Sequence, residues 1–170
     1  MNTVEFLRLV LPSRGLYVAS RLTLKGFRNH VCDTIEELAQ QVLSYDAQEV
    51  AAYYACSAYR ERSVDGVKDG KPIKQVRTHK NVRAARDYWM DLDVKPGNPA
   101  AFESQEHALV ALVEFCRKVD IPVPTIISSG YGLQIHWTVN NEAILETWKQ
   151  TATALKTLAA KYEFKADPAC

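Results

Sequence analysis

Two short stretches with a period of two constrain this chain more than anything else in it. In residues 88–94, Tyr88, Met90, Leu92 and Val94 fall on one parity and Trp89, Asp91 and Asp93 on the other. In residues 133–139, Leu133, Ile135, Trp137 and Val139 alternate with Gln134, His136 and Thr138. Successive strand side chains point to opposite faces, so each stretch reads as a strand with one apolar and one polar face. The apolar faces need helix cover. The polar faces, if the strands are neighbours, bring Asp91, Asp93, Gln134 and His136 together.

The segments around them supply that cover. Ser104 is placed to cap a helix running to about residue 119, with Leu109, Leu112, Val113 and Cys116 expected on its buried face. Pro122 and Pro124 stop it. Residues 125–129 read as a short strand, Gly130-Tyr131-Gly132 as a tight turn, 142–162 as a long helix and 164–167 as an extended piece. The order strand, helix, strand, strand, helix, strand is that of the ferredoxin-like split βαβ unit. It predicts that the first and third strands are central neighbours and that the fourth flanks the first, bringing Asp167 to the same place.

Residues 1–60 read as mixed structure. Residues 16–22 suggest a strand, Thr34 with Glu37 three residues on opens a helix to about 45, and 50–59 suggest a buried strand. Residues 60–78, with Gly66, Gly70 and Pro72, read as a mobile loop or hairpin.

Apolar residues make up 47% of the 170 and charged residues 24%, enough for a packed core and too apolar for wholesale disorder. The net charge of +1 names no partner, but its distribution does. Residues 60–86 hold nine Lys/Arg against three acids. With no apolar helical face beside it, that excess suits phosphate better than a membrane. No apolar run reaches the roughly 18 residues of a span, so no membrane partner is expected. The four cysteines, Cys32, Cys56, Cys116 and Cys170, lack the paired spacing of a structural zinc site. They read as buried thiols of a reduced, cytoplasmic protein.

Three carboxylates on one open sheet face repel one another unless a cation lies between them. An all-oxygen donor set favours Mg²⁺ or Mn²⁺, and two ions roughly 3.5–4 Å apart would suit phosphoryl transfer. In the adjoining turn Ser128-Ser129-Gly130-Tyr131-Gly132, the glycines let backbone N–H groups approach an anion. Each feature alone is common; the ordered set is specific.

That set resembles the catalytic core of the archaeo-eukaryotic primase superfamily, in particular the primase-polymerase domains of phages, plasmids and integrated elements. The resemblance rests on Tyr88-Trp89-Met90-Asp91-Leu92-Asp93-Val94, on Ser128-Ser129-Gly130-Tyr131-Gly132-Leu133-Gln134-Ile135-His136-Trp137 and on Lys165-Ala166-Asp167-Pro168. It covers about residues 27–170. It implies an α+β fold with an N-terminal α/β unit (1–85) beside an RRM-like catalytic unit (86–170), acting as one domain. It also implies template-directed nucleotidyl transfer on single-stranded DNA from nucleoside triphosphates, with a helicase domain or protein as a further partner.

Carried over, Asp91, Asp93 and Asp167 would hold the metal ions, and Ser129, Gly130 and Gly132 would contact nucleotide phosphates together with Gln134 or His136. Many relatives have His at the position of Gln134, and parity leaves that choice open. Lys74, Arg77, Lys80, Arg83 and Arg86 would hold the template. Relatives continue past the third Asp with a basic segment, so the unit is expected to be cut short at Cys170.

Two rival readings follow from the same residues. Gln134-Ile135-His136 with Tyr162-Glu163-Phe164-Lys165 fits a weak form of an HUH-type initiator endonuclease, with Tyr162 as nucleophile. A non-catalytic nucleic-acid-binding RRM-like module would instead carry aromatics on its open face.

Overall fold

The computed structural model describes residues 1–167. The chain is α+β and divides into two units. The first comprises Met1–Arg86 and Asn140–Leu145, and the second Asp87–Val139 with the chain from Glu146 onward.

In the first unit, α1 (Thr3–Val10) begins at a capping box in which Asn2 and Glu5 satisfy each other's backbone N–H. Strands β1 (Tyr17–Thr23), β2 (Gly26–Cys32) and β3 (Ala52–Tyr54) form an antiparallel sheet with β1 central. Helix α2 (Ile35–Asp46) starts at Thr34, whose Oγ1 accepts the Glu37 N–H at 3.1 Å. Leu7, Val10, Leu11, Tyr17, Leu38 and Ala39 form the core between these elements.

The expected strand over 50–59 is two pieces, β3 and β4 (Ser57–Tyr59), in different sheets. Each pairs with a different neighbour, β1 for the one and β7 for the other, so the run cannot stay continuous. The basic segment is a hairpin, β5 (Val64–Lys68) and β6 (Lys71–Gln75), turned at Asp69 and Gly70, both at positive φ.

Strand β7 (Val82–Leu92) starts six residues before the alternating stretch 88–94. The second unit then follows the expected order: α3 (Gln105–Val119), β8 (Thr125–Ser128), β9 (Leu133–Ala143) and α4 (Leu145–Lys161). Its strands lie in the order β7, β9, β8, with β4 as the fourth strand beside the start of β7. The expected strand over 164–167 is not formed among the described residues, where Asp167 makes only a single antiparallel bridge to Asp91 of β7. Met90, Leu92, Leu133 and Ile135 pack against Ala108, Leu112, Phe115, Cys116 and Ala159, so the apolar parity of both strands is the helix-covered one. Each large apolar side chain buried there contributes about 1.5–3 kcal/mol.

Three expectations need correcting. The buried face of α3 is Ala108, Leu112, Phe115 and Cys116, whereas Leu109 and Val113 are exposed. Phe115 is the larger apolar group, and turning it inward rotates the helix away from the Leu109–Val113 stripe. Strand β9 runs on to Ala143 and α4 begins only at Leu145. In that extension Glu142 accepts the Ser13 hydroxyl at 2.7 Å and pairs with Arg83 at 3.8 Å, which holds residues 140–143 extended. No helix among the described residues is long and apolar enough to cross a membrane.

Candidate active site on the open face of β7 and β9

Asp91 is the centre of this site. Its backbone exchanges both hydrogen bonds with Asp167, at 2.9 and 2.8 Å. Directly opposed residues in an antiparallel pair project to the same side, so the two carboxylates share a face. Asp91 is half-buried, and its carboxyl is held above the usual carboxylate range. Burial is the main cause; a hydrogen bond from Gln134 and the nearby His136 pull the other way, and the charges of Asp167 and Asp93 push it further up. The bridge sets Asp167 beside Asp91, and Asp93, Gln134 and His136 lie near enough to act on the Asp91 carboxyl.

The convergence is loose. Asp93 lies just past the end of β7, exposed, with its Oδ2 accepting from Lys95 Nζ at 2.7 Å. The only three metal-donor groups within 4.8 Å of one another among the described residues are His30, Cys32 and Glu37, not the three aspartates. The aspartates nonetheless fit a hard divalent ion by chemistry, since all their donors are oxygens.

Of the two candidates on β9, Gln134 is the one whose amide bears most on the Asp91 carboxyl, lowering its pKa against the effect of burial. His136 is buried, and its Nδ1 lies 2.5 Å from Oδ2 of Asp87. Sequence reasoning missed Asp87. Its side chain is fully buried; Thr138 donates to its other oxygen at 3.5 Å, and its backbone carbonyl accepts the Trp148 indole N–H at 2.7 Å. Burial pushes the Asp87 carboxyl up, against the His136 contact. Its parity was the available signal: 87, 91 and 93 share a face, and a strand histidine that is buried needs a partner. Trp89 stacks on Trp148 at 5.3 Å, and Trp137 donates to the Pro122 carbonyl, so both tryptophans are packing groups.

The turn before β9 is held from two sides. Gln105, at the start of α3, donates from Nε2 to Gly130 O at 3.0 Å and to Ser128 Oγ at 3.1 Å. Ser129 N–H closes the turn on Gly132 O at 3.0 Å, leaving the Ser129 side chain exposed. The two glycines have different reasons. Gly130 sits at φ +94° in open space, whereas a Cβ on Gly132 would lie 2.5 Å from the Leu92 carbonyl oxygen. No family model, curated protein or solved structure matches this chain.

The close approach of Gly132 to Leu92 ties the turn to the residue between Asp91 and Asp93. Gly132→Ala is therefore expected to cost about 1–3 kcal/mol, as overpacking against backbone does. Gly130→Ala should cost about 1 kcal/mol through its φ alone. Urea unfolding of both variants checks the ranking; equal costs would contradict it.

The basic residues divide as well. Arg83 donates to the Arg14 carbonyl and Arg86 to the Arg8 carbonyl, so both guanidinium groups hold the fold of the first unit. Lys74, Arg77 and Lys80 are exposed, with Lys74 paired to Asp65 at 2.6 Å and Arg77 Nη1 donating to Ser20 Oγ at 3.4 Å.

Proposed function

We propose that this chain is a nucleotidyltransferase catalytic domain of the archaeo-eukaryotic primase type, joining nucleoside triphosphates on a single-stranded DNA template. The observation that carries this reading is the setting of Asp91, opposite Asp167 across a doubly bonded bridge and near Gln134, on the strand parity opposite Met90 and Leu92. The strand order β7-β9-β8, with Asp167 on the other side of β7, supports an RRM-like arrangement of the second unit.

Asp91, Asp93 and Asp167 are the groups that would hold Mg²⁺ or Mn²⁺. Divalent ions bound there neutralise triphosphate charge and acidify a 3′-hydroxyl. The protein's own groups position the reactants. Gln134 orients the Asp91 carboxylate through its amide. Ser129, with the backbone N–H groups around Gly130 and Gly132, receives phosphate oxygens. Asp87 and His136 brace β7 against β9 behind the acids. Lys74, Arg77 and Lys80 engage template phosphates; a helicase domain or protein is the expected partner in replication.

Tyr162 argues against the covalent endonuclease reading. It borders a depression lined by Phe102, Ala111, Glu114 and Phe115, which includes neither Gln134 nor His136. The acids on the open face argue against a non-catalytic module, since without a cation they repel a phosphate backbone.

Mn²⁺-dependent incorporation of labelled nucleotide on a single-stranded template tests the proposal. Activity is expected for the native chain and abolished in the Asp91→Ala, Asp93→Ala double variant; full activity in that variant would remove the reading. Lys74→Ala with Lys80→Ala is expected to flatten the slope of log affinity against log salt by about 0.7 per lost contact. An unchanged slope would place the template elsewhere.

A further inference from the structure

The first unit holds a second constellation that the proposed activity does not use. His30 and Cys32 lie two apart on β2, so their side chains leave the strand on the same face. Glu37 projects toward them from the first turn of α2. One donor atom from each lies within 4.8 Å of the others. The three come from a strand end and the helix that follows it, with only Asp33 and Thr34 between β2 and α2.

The carboxylate is already oriented. Its Oε2 accepts the Asp33 backbone N–H at 2.7 Å, which leaves Oε1 facing His30 Nε2 at 3.7 Å. That separation is too long for a hydrogen bond. It does suit two ligands of one ion, and a ligating carboxylate steadied by a hydrogen bond from behind is a common support in metal sites. Cys32 is fully buried under the site, and its thiol makes a weak contact with the His30 carbonyl at 4.0 Å. The His30 ring is exposed, so solvent reaches the site from that side.

We propose that His30, Cys32 and Glu37 form a binding site for a single divalent ion of the zinc class. A mixed nitrogen, sulfur and oxygen donor set favours Zn²⁺ over Mg²⁺ or Mn²⁺, which prefer oxygen alone. Three protein ligands leave a fourth position for water. As the sulfur–metal bond forms, the Cys32 thiol releases its proton to solvent. That thiol is otherwise hard to ionise: burial, then the Glu37 charge, pushes its pKa up to about 11. A bound divalent cation reverses that bias. The thiolate and the Glu37 carboxylate balance the ion's charge, which offsets the unfavourable positive end of α2. The ion would staple β2 to α2. This site is independent of the acids on β7 and of the activity proposed for them.

Cobalt(II) titration of the full, reduced, metal-free chain tests it, because cobalt reports thiolate ligation by a charge-transfer band that carboxylates do not produce. One equivalent is expected to give that band, with tetrahedral visible transitions, and Zn²⁺ should displace it. His30→Ala and Glu37→Gln, both at exposed or half-exposed positions, are each expected to weaken binding at least tenfold. Glu37→Gln keeps an oxygen for the Asp33 N–H, so its fold is not at stake. Cys32→Ser should lose the band while retaining native circular dichroism. Absence of the band at saturating cobalt would overturn the proposal. So would a band of unchanged affinity in both His30→Ala and Glu37→Gln, which would assign it to another cysteine.

Discussion

Replacing Asp91 by asparagine is expected to lower nucleotide incorporation by about 10²–10³-fold, the scale on which removing one charge-stabilising group acts. The same change should leave the metal-free protein more stable. In the fold the Asp91 carboxyl is held above its ordinary range, chiefly by burial and then by Asp167 and Asp93. A carboxyl whose folded pKa is raised contributes stability that is present below its unfolded pKa and is lost as pH rises through the folded one. Above the folded pKa that contribution is gone. Asparagine keeps the shape, stays neutral and can still meet Gln134. A gain of about 0.5–2 kcal/mol in chelator is expected, fading at acid pH. Paired activity and thermal-unfolding measurements read both effects. A variant that loses activity because it unfolds would contradict this account of Asp91.

Asp87→Ala carries the largest expected cost in stability, about 3–5 kcal/mol, because it breaks a buried hydrogen-bonded pair by removing one partner. The His136 ring and the Asp87 carboxyl are both buried, 2.5 Å apart, and Thr138 shares the same carboxylate. An exposed ion pair such as Arg8–Glu36 would be worth about 0–1 kcal/mol by comparison. A double-mutant cycle of Asp87→Asn and His136→Gln, measured by urea unfolding, should return a coupling above 1 kcal/mol. Additive costs would mean that the pair does not act as a unit.

Several parts of this arrangement were legible in the sequence for definite physical reasons. Strand parity follows from backbone geometry, so burial of Met90, Leu92, Leu133 and Ile135 and the opposite placement of Asp91 and Gln134 could be read directly. Caps are equally local: Ser104 and Thr34 sit where their helices begin. Other parts were hidden. Helix α1 is only eight residues long, too short for a firm period, although Asn2 and Glu5 carried its capping signal. Strand β2 is exposed through Arg28, Asn29 and His30 and shows no apolar alternation. The face of α3 was misassigned because Leu109 and Val113 mimic a buried stripe that Phe115 in fact sets. Tertiary pairing is not local, so parity could put Asp87 on the acidic face but could not pair it with His136, 49 positions away. Cysteine spacing likewise gave no hint that Cys32 shares a pocket of donors with His30 and Glu37, because one ligand comes from a helix and two from a strand.

The most direct test is a crystal structure of the chain soaked with Mn²⁺ and a nucleoside triphosphate. Anomalous peaks between the carboxylates of Asp91, Asp93 and Asp167, with phosphate oxygens reaching the turn at Ser129, are the predicted result. Manganese and triphosphate bound away from those aspartates would contradict it.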